Sequence, residues 1–203
     1  MAPPVAPTPL GQKIKILGVD PDMDGTGFAL CSLNRIHRFD VARSDGGARG
    51  LRAVKAQIKK LAHVITKILD AEAPDEAVIE VPLDREFQRK ARPQDLILLG
   101  MVSAAVATRL DYEGVKFTLA YPSDWKGSQK KGPNQALFCE HYGLKHQRRP
   151  NIDSPVILRG LPPEIDVGED VTADSYKEIL DAGGMSLWKL KGGLIPSWRS
   201  GGR

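Results

Sequence analysis

The stretch ILGVDPDMDGTGFAL, residues 16–30, sets one acid, Asp20, at the end of an aliphatic run and follows it at once with a turn. An unpaired carboxylate is costly to bury, so this position asks for a purpose. Asp-Pro opens turns readily, which makes turn formation one answer. The other is chemistry, with the carboxylate held where a buried strand ends. Deciding between them requires knowing whether further acids stand at comparable places.

Working outward, KIKILGVD (13–20) alternates and then turns uniformly apolar, as a central strand does. Beyond DMDG, TGFALCSL and RIHRFDVA predict two more strands in a meander. The Gly-rich SDGGARG leads into LRAVKAQIKKLAHVITKIL, where Leu51, Val54, Ile58, Leu61, Ile65, Ile68 and Leu69 recur at helical spacing, lysines fill the other face and Pro74 follows. AVIEVP is a short apolar strand interrupted by Glu80. A second helix, PQDLILLGMVSAAVATRL, carries proline in its first turn and is apolar nearly all round. Two of its faces should therefore be covered: one by the sheet, the other, through Gly100, Ser103, Ala104 and Ala107, by core or by a partner subunit. VKFTLAYP predicts a fifth strand, PSDWK a capped turn, and NQALFCEHYG a third helix that Gly143 ends. Residues 145–168 read as loop apart from SPVIL, and EDVTADSYKEILDAGG predicts a last helix stopped by Gly183-Gly184.

A chain of 203 residues suits one core, expected over 13–184 between a Pro-rich leader (1–12) and a C-terminal tail (185–203). With 41% hydrophobic and 27% charged residues, and no apolar run near the roughly 18–20 residues of a span, a membrane protein is not expected. The 29 basic and 25 acidic residues nearly balance but are unevenly placed. Arg85, Arg89, Lys90 and Arg92 cluster in one run, and Lys126, Lys130, Lys131, Lys145, Arg148 and Arg149 in another, either of which can be a solvated loop or a nucleic-acid contact. Cys31 and Cys139 lack metal-site spacing and point to a reducing compartment. His37, His63, His141 and His146 are scattered, and no Ser-His-Asp or Cys-His arrangement stands out.

The element order implies an α/β, ribonuclease H-like fold, a mixed five-stranded sheet flanked by helices. In it Asp20 ends the first strand, Glu80 interrupts the fourth, and Asp170 and Asp174 lie four apart on the expected last helix, hence on one face. Clustered carboxylates repel, and a set of four persists when cations offset it. All-oxygen ligands suit magnesium or manganese rather than zinc. Two such ions can cleave a phosphodiester without a nucleophilic side chain.

On these residues the chain resembles RuvC-type Holliday junction resolvases: the I-L-G-[IV]-D-P-x-x-x-x-T-G opening matches Ile16 to Gly27, a Glu-bearing apolar strand matches Glu80, and an acidic final helix matches Asp170 to Asp174. Asp22 stands where the family usually has glycine. Family members often carry an acid three positions before the last one, where this chain has Val171, so the resemblance assigns that role to Asp170. It implies Asp20, Glu80, Asp170 and Asp174 as catalytic metal ligands, two Mg2+ ions (or Mn2+), four-way junction DNA as substrate, paired symmetric nicks and a homodimer. It further implies DNA contacts from the loop after Glu80, with Phe87 or Leu83 as a wedge flanked by Arg85, Arg89, Lys90 and Arg92, and from Lys126, Lys130 and Lys131. Trp125 is expected to pack beneath that lysine loop. The Pro-rich leader suits the plant and algal chloroplast branch; a bacterial cytoplasmic enzyme is the other expectation. Three alternatives stay open: a related nuclease on RNA/DNA hybrids, a non-catalytic junction binder and a phosphate-binding ATPase-like module.

Overall fold

The computed structural model describes residues 14–43, 50–82, 92–127, 130–151 and 153–193. A mixed sheet with helices on both faces is built around β1 (Ile16–Asp20), whose residues are almost all buried. β1 pairs antiparallel with β2 (Gly25–Ser32), which pairs antiparallel with β3 (Arg35–Arg43). On its other side β1 pairs parallel with β4 (Glu76–Glu80), and β4 parallel with β5 (Phe117–Ala120). The five expected strands are all present. A two-residue strand, β8 (Asp166–Val167), adds a sixth beside β3, giving the order β5-β4-β1-β2-β3-β8. A separate small hairpin joins β6 (His146–Gln147) to β7 (Ile157–Leu158), within the segment expected to be loop.

Because side chains alternate across a strand, β1 serves two layers at once. Leu17 and Val19, with Phe28 and Leu30 of β2, pack against α1 (Leu51–Ala71) and α2 (Pro93–Tyr112). Gly18 and Asp20 face the opposite layer, made of α4 (Lys131–His141) and α5 (Tyr176–Leu190), with the short α3 (Pro122–Trp125) beside them. α2 starts at Pro93 as expected, with Asp95 in the first turn and Arg109 in the last, each suited to the helix dipole. Its small-residue face divides: Ser103 is buried and donates to the Glu80 carbonyl (3.3 Å), whereas Ala104 is exposed along with Ile97 and Met101. No helix among the described residues is long and apolar enough to cross a membrane.

The last helix departs from expectation at both ends. Residues 169–172 do not enter it, Ala173–Ser175 form a 3-10 turn in which Ser175 and Thr172 bond reciprocally, and α5 begins only at Tyr176. At the other end the helix runs straight through Gly183-Gly184 to Leu190, so the domain boundary expected at 184 falls inside a helix whose Met185 and Leu187 are core residues. The glycines are there for contact rather than termination. A Cβ at Gly183 would overlap the Phe138 ring, and one at Gly184 would crowd Trp125. The same close approach holds α5 to the sheet, since a Cβ at Gly18 would overlap the Ala182 carbonyl and one at Gly27 the backbone of Glu178.

Candidate active site

Asp20 ends β1 and Glu80 ends the neighbouring parallel β4, and both point to the α5 side of the sheet. α5, drawn down by Gly18 and Gly27, brings a third carboxylate, Asp181, to the same place. The three acids thus come from three elements and meet only through the fold. Asp20 is raised well above the usual carboxylate range by burial first, then by repulsion from Glu80 and Asp181, with Lys131 and Lys126 offsetting part of this. Glu80 is raised as well, by burial, against the pull of Lys126 and with Asp181 adding repulsion.

Glu80 and Asp181 each have specific partners. The indole Nε1 of Trp125 donates to Glu80 Oε2 at 2.8 Å, and Lys126 Nζ stands 3.8 Å from the same oxygen and 5.0 Å from the Trp125 ring centroid. Trp125 is therefore more than the packing residue expected: its buried N–H orients a carboxylate. Asp181 is paired with Lys131, and its Oδ1 accepts from Gln135 Nε2 at 2.9 Å. Gln135 is fully buried, donates also to the Lys177 carbonyl and accepts from the Val156 amide, so it ties α4, α5 and the following loop together behind Asp181. Burial works against the Lys131 ammonium, but Asp181 and Asp20 overcome it and raise its pKa. One turn before Asp181, Glu178 is also buried; its Oε1 pairs with Lys177 at 3.0 Å and its Oε2 has no hydrogen-bond partner.

The other expected acids are not brought here. Asp174 is exposed in the 3-10 turn, and Asp170, half-exposed, leans 4.0 Å from Lys60 on α1, the helix that covers the opposite face of the sheet. Their four-residue spacing does not align them, because no α-helix spans 170–174. The spacing that does share a helix face is Glu178 to Asp181, three apart, followed by Ala182. The signal was the E-x-x-D-A of YKEILDAGG, seven residues beyond the D-V-T-A-D chosen in its place.

Among the expected DNA contacts, Lys126 and Lys131 lie at the carboxylates. Lys130 points elsewhere, pairing with Asp153 at 3.3 Å, and Arg92 precedes the first turn of α2 and pairs with Asp95 at 3.1 Å. Leu83, Arg85, Phe87, Arg89 and Lys90 lie outside the described residues. His37 bonds Ser32 and pairs with Glu72, and His141 and His146 bond backbone carbonyls, so none of these three rings serves the acids. Both cysteines are buried and free, with thiols pushed up to about 12 by burial.

The donor set of Asp20, Glu80 and Asp181 is carboxylate oxygen throughout, which fits a hard divalent cation, and Glu178, one helix turn before Asp181, carries a buried Oε2 with no partner. No three acids among the described residues are already arranged to hold one; the Lys131 ammonium is paired into the cluster.

Two solved structures share the fold over nearly their whole length. One is Thermus thermophilus RuvC in complex with a Holliday junction substrate, with TM-score 0.62 and 14% identity, covering 89% of this chain and 98% of that one. The other is Thermus thermophilus RuvC itself, with TM-score 0.58 and 14% identity, covering 88% and 97%. No family model and no curated protein matches the chain. The expected α/β architecture, a mixed sheet flanked by helices, is thus the observed one, and it is shared with these two RuvC structures.

Proposed function

We propose that this protein is a metal-dependent, structure-selective endonuclease that resolves four-way DNA junctions. The observation that carries the reading is the meeting of Asp20, Glu80 and Asp181, from two parallel strand ends and a crossing helix, in an environment that leaves their charge undercompensated. Asp20, Glu80 and Asp181 would hold magnesium or manganese, with Glu178 as the fourth ligand in place of Asp170 and Asp174. One or two such ions, when bound, supply activation of the attacking water and stabilisation of charge on phosphorus and the leaving 3'-oxygen.

The chain's own residues do the rest. Trp125 and Gln135 fix the Glu80 and Asp181 carboxylates so that little reorganisation is needed when charge develops. Lys126 and Lys131 supply positive charge to a phosphate entering between the acids. The exposed Ile97 and Met101 on α2 support pairing of two copies, which paired nicks on a two-fold junction require. The basic loop with Phe87 or Leu83 is the proposed wedge at the junction centre.

The test is to incubate the protein and magnesium with labelled four-way DNA, linear duplex and RNA/DNA hybrid. Selective cutting of the four-way DNA supports the reading; cutting of the hybrid alone replaces it with a hybrid nuclease. One observation favours a second reading, a junction binder that does not cut, because Lys131 already neutralises part of the cluster. Tight junction binding with no cutting at any magnesium or manganese concentration would select it.

A further inference from the structure

α1 carries a second basic surface far from the acids in the fold. From Leu51 to Leu69 it contains no acidic residue, and Arg52, Lys55, Lys59 and His63 recur at three- and four-residue steps on its exposed face. These positions span about 16 Å of helix. Lys60 and Lys67 flank the ridge and are matched by Asp170 and Glu169. Among the described residues, Arg52, Lys55 and Lys59 pair with no acid.

We propose that this ridge is a phosphate-backbone contact for double-stranded DNA, and specifically for an arm of a branched molecule other than the arm lying at Asp20 and Glu80. The proposal rests on the junction reading above. α1 covers the face of the sheet opposite to the one that bears the carboxylates. DNA is stiff over about 50 nm, so a duplex seated on the acids does not bend round a domain of this size to reach the other face without a large deformation cost. A four-way molecule has further arms that can. A line of cations at one-turn intervals complements a continuous polyanion better than a point anion. A lipid surface is disfavoured by the helix itself: membrane-surface helices free their apolar side, whereas Val54, Leu61, Val64, Ile65 and Ile68 are locked in the core.

The test compares the full-length Asp20→Asn protein, which should bind without cutting, with the same protein carrying Arg52→Gln, Lys55→Gln and Lys59→Gln. These side chains point to solvent, so the melting temperature should be unchanged; Lys59→Gln alone provides a milder variant. Affinities for a labelled four-way junction and for linear duplex of equal arm length are measured across sodium chloride concentration. Each lost phosphate contact lowers the log-log salt slope by about 0.9, so the triple variant should lose about 2–3 on the junction and Lys59→Gln about 1. The duplex slope should stay within about 0.5 of the parent's, less than one contact. An unchanged junction slope overturns the proposal, and an equal loss on junction and duplex overturns its second-arm assignment. Ridge-dependent capture by phosphatidylserine vesicles with junction binding unaffected would replace DNA with a membrane surface. If the wild-type protein cuts nothing but the junction slope falls as stated, the nuclease reading fails and the ridge stands.

Discussion

Replacing Lys131 with methionine keeps most of the stem's volume and removes the ammonium paired with Asp181 and felt by Asp20 and Glu80. Removing one partner of a buried ion pair costs about 3–5 kcal/mol. The Lys131 side chain is 35% exposed, so solvent screening brings the expectation down to about 2–3 kcal/mol. For a domain of this length that is a fall of roughly 5–10 °C in melting temperature. The loss should depend on pH with a definite sign. Asp20 and Glu80 have folded pKa values above their unfolded ones, so the folded state binds more protons, and stability present near pH 4 is lost as pH rises through the raised values. Without Lys131 this decline should steepen. Manganese should reverse it, since a cation at about 100 times its dissociation constant contributes about 2.7 kcal/mol. The assay is thermal unfolding at pH 5 and pH 7.5, in chelator and in manganese, for wild type and Lys131→Met. If the variant melts with the wild type in chelator at pH 7.5 and manganese moves neither, the acids do not form the undercompensated cation site described.

The remaining expectations concern ligands, orientation and packing. Asp20→Asn, Glu80→Gln and Asp181→Asn should each abolish cutting with junction binding retained, while Asp170→Asn and Asp174→Asn cut at the parent's rate; a loss confined to the last two would restore the original assignment. Trp125→Phe keeps an aromatic ring but loses part of the indole and the N–H to Glu80, so the cutting rate should fall about ten- to a hundredfold with KM for the junction little changed; full activity would return Trp125 to packing. Gly18→Ala should cost about 3 kcal/mol or more, because the new Cβ meets the Ala182 backbone carbonyl, which cannot move aside as a side chain could; denaturant unfolding with an unshifted midpoint would contradict the α5–sheet contact.

Local pattern was enough to determine the five longer strands β1 to β5, the amphipathic α1, the Pro-led α2, and the placing of Asp20 and Glu80 at adjacent strand ends, because alternation, helical period and proline position act over a few residues. Tertiary contact decided the rest. Gly183-Gly184 reads as a stop in isolation, yet the neighbouring Phe138 ring and Trp125 make it the place where a continuing helix packs tightest. Asp170 and Asp174 looked like helix partners, but the residues between them form turns, and the acid that reaches Asp20 and Glu80 is Asp181, one helix face further on. Locally Asp181 is marked over Asp174 only by its three-residue step from Glu178. It is chosen by the depth to which Gly18 and Gly27 let α5 approach β1 and β2, a distance set between segments more than 150 residues apart. Trp125 and Gln135 were invisible as orienting groups for the same reason: a single indole N–H or amide has a role only once the fold has put a buried carboxylate in front of it.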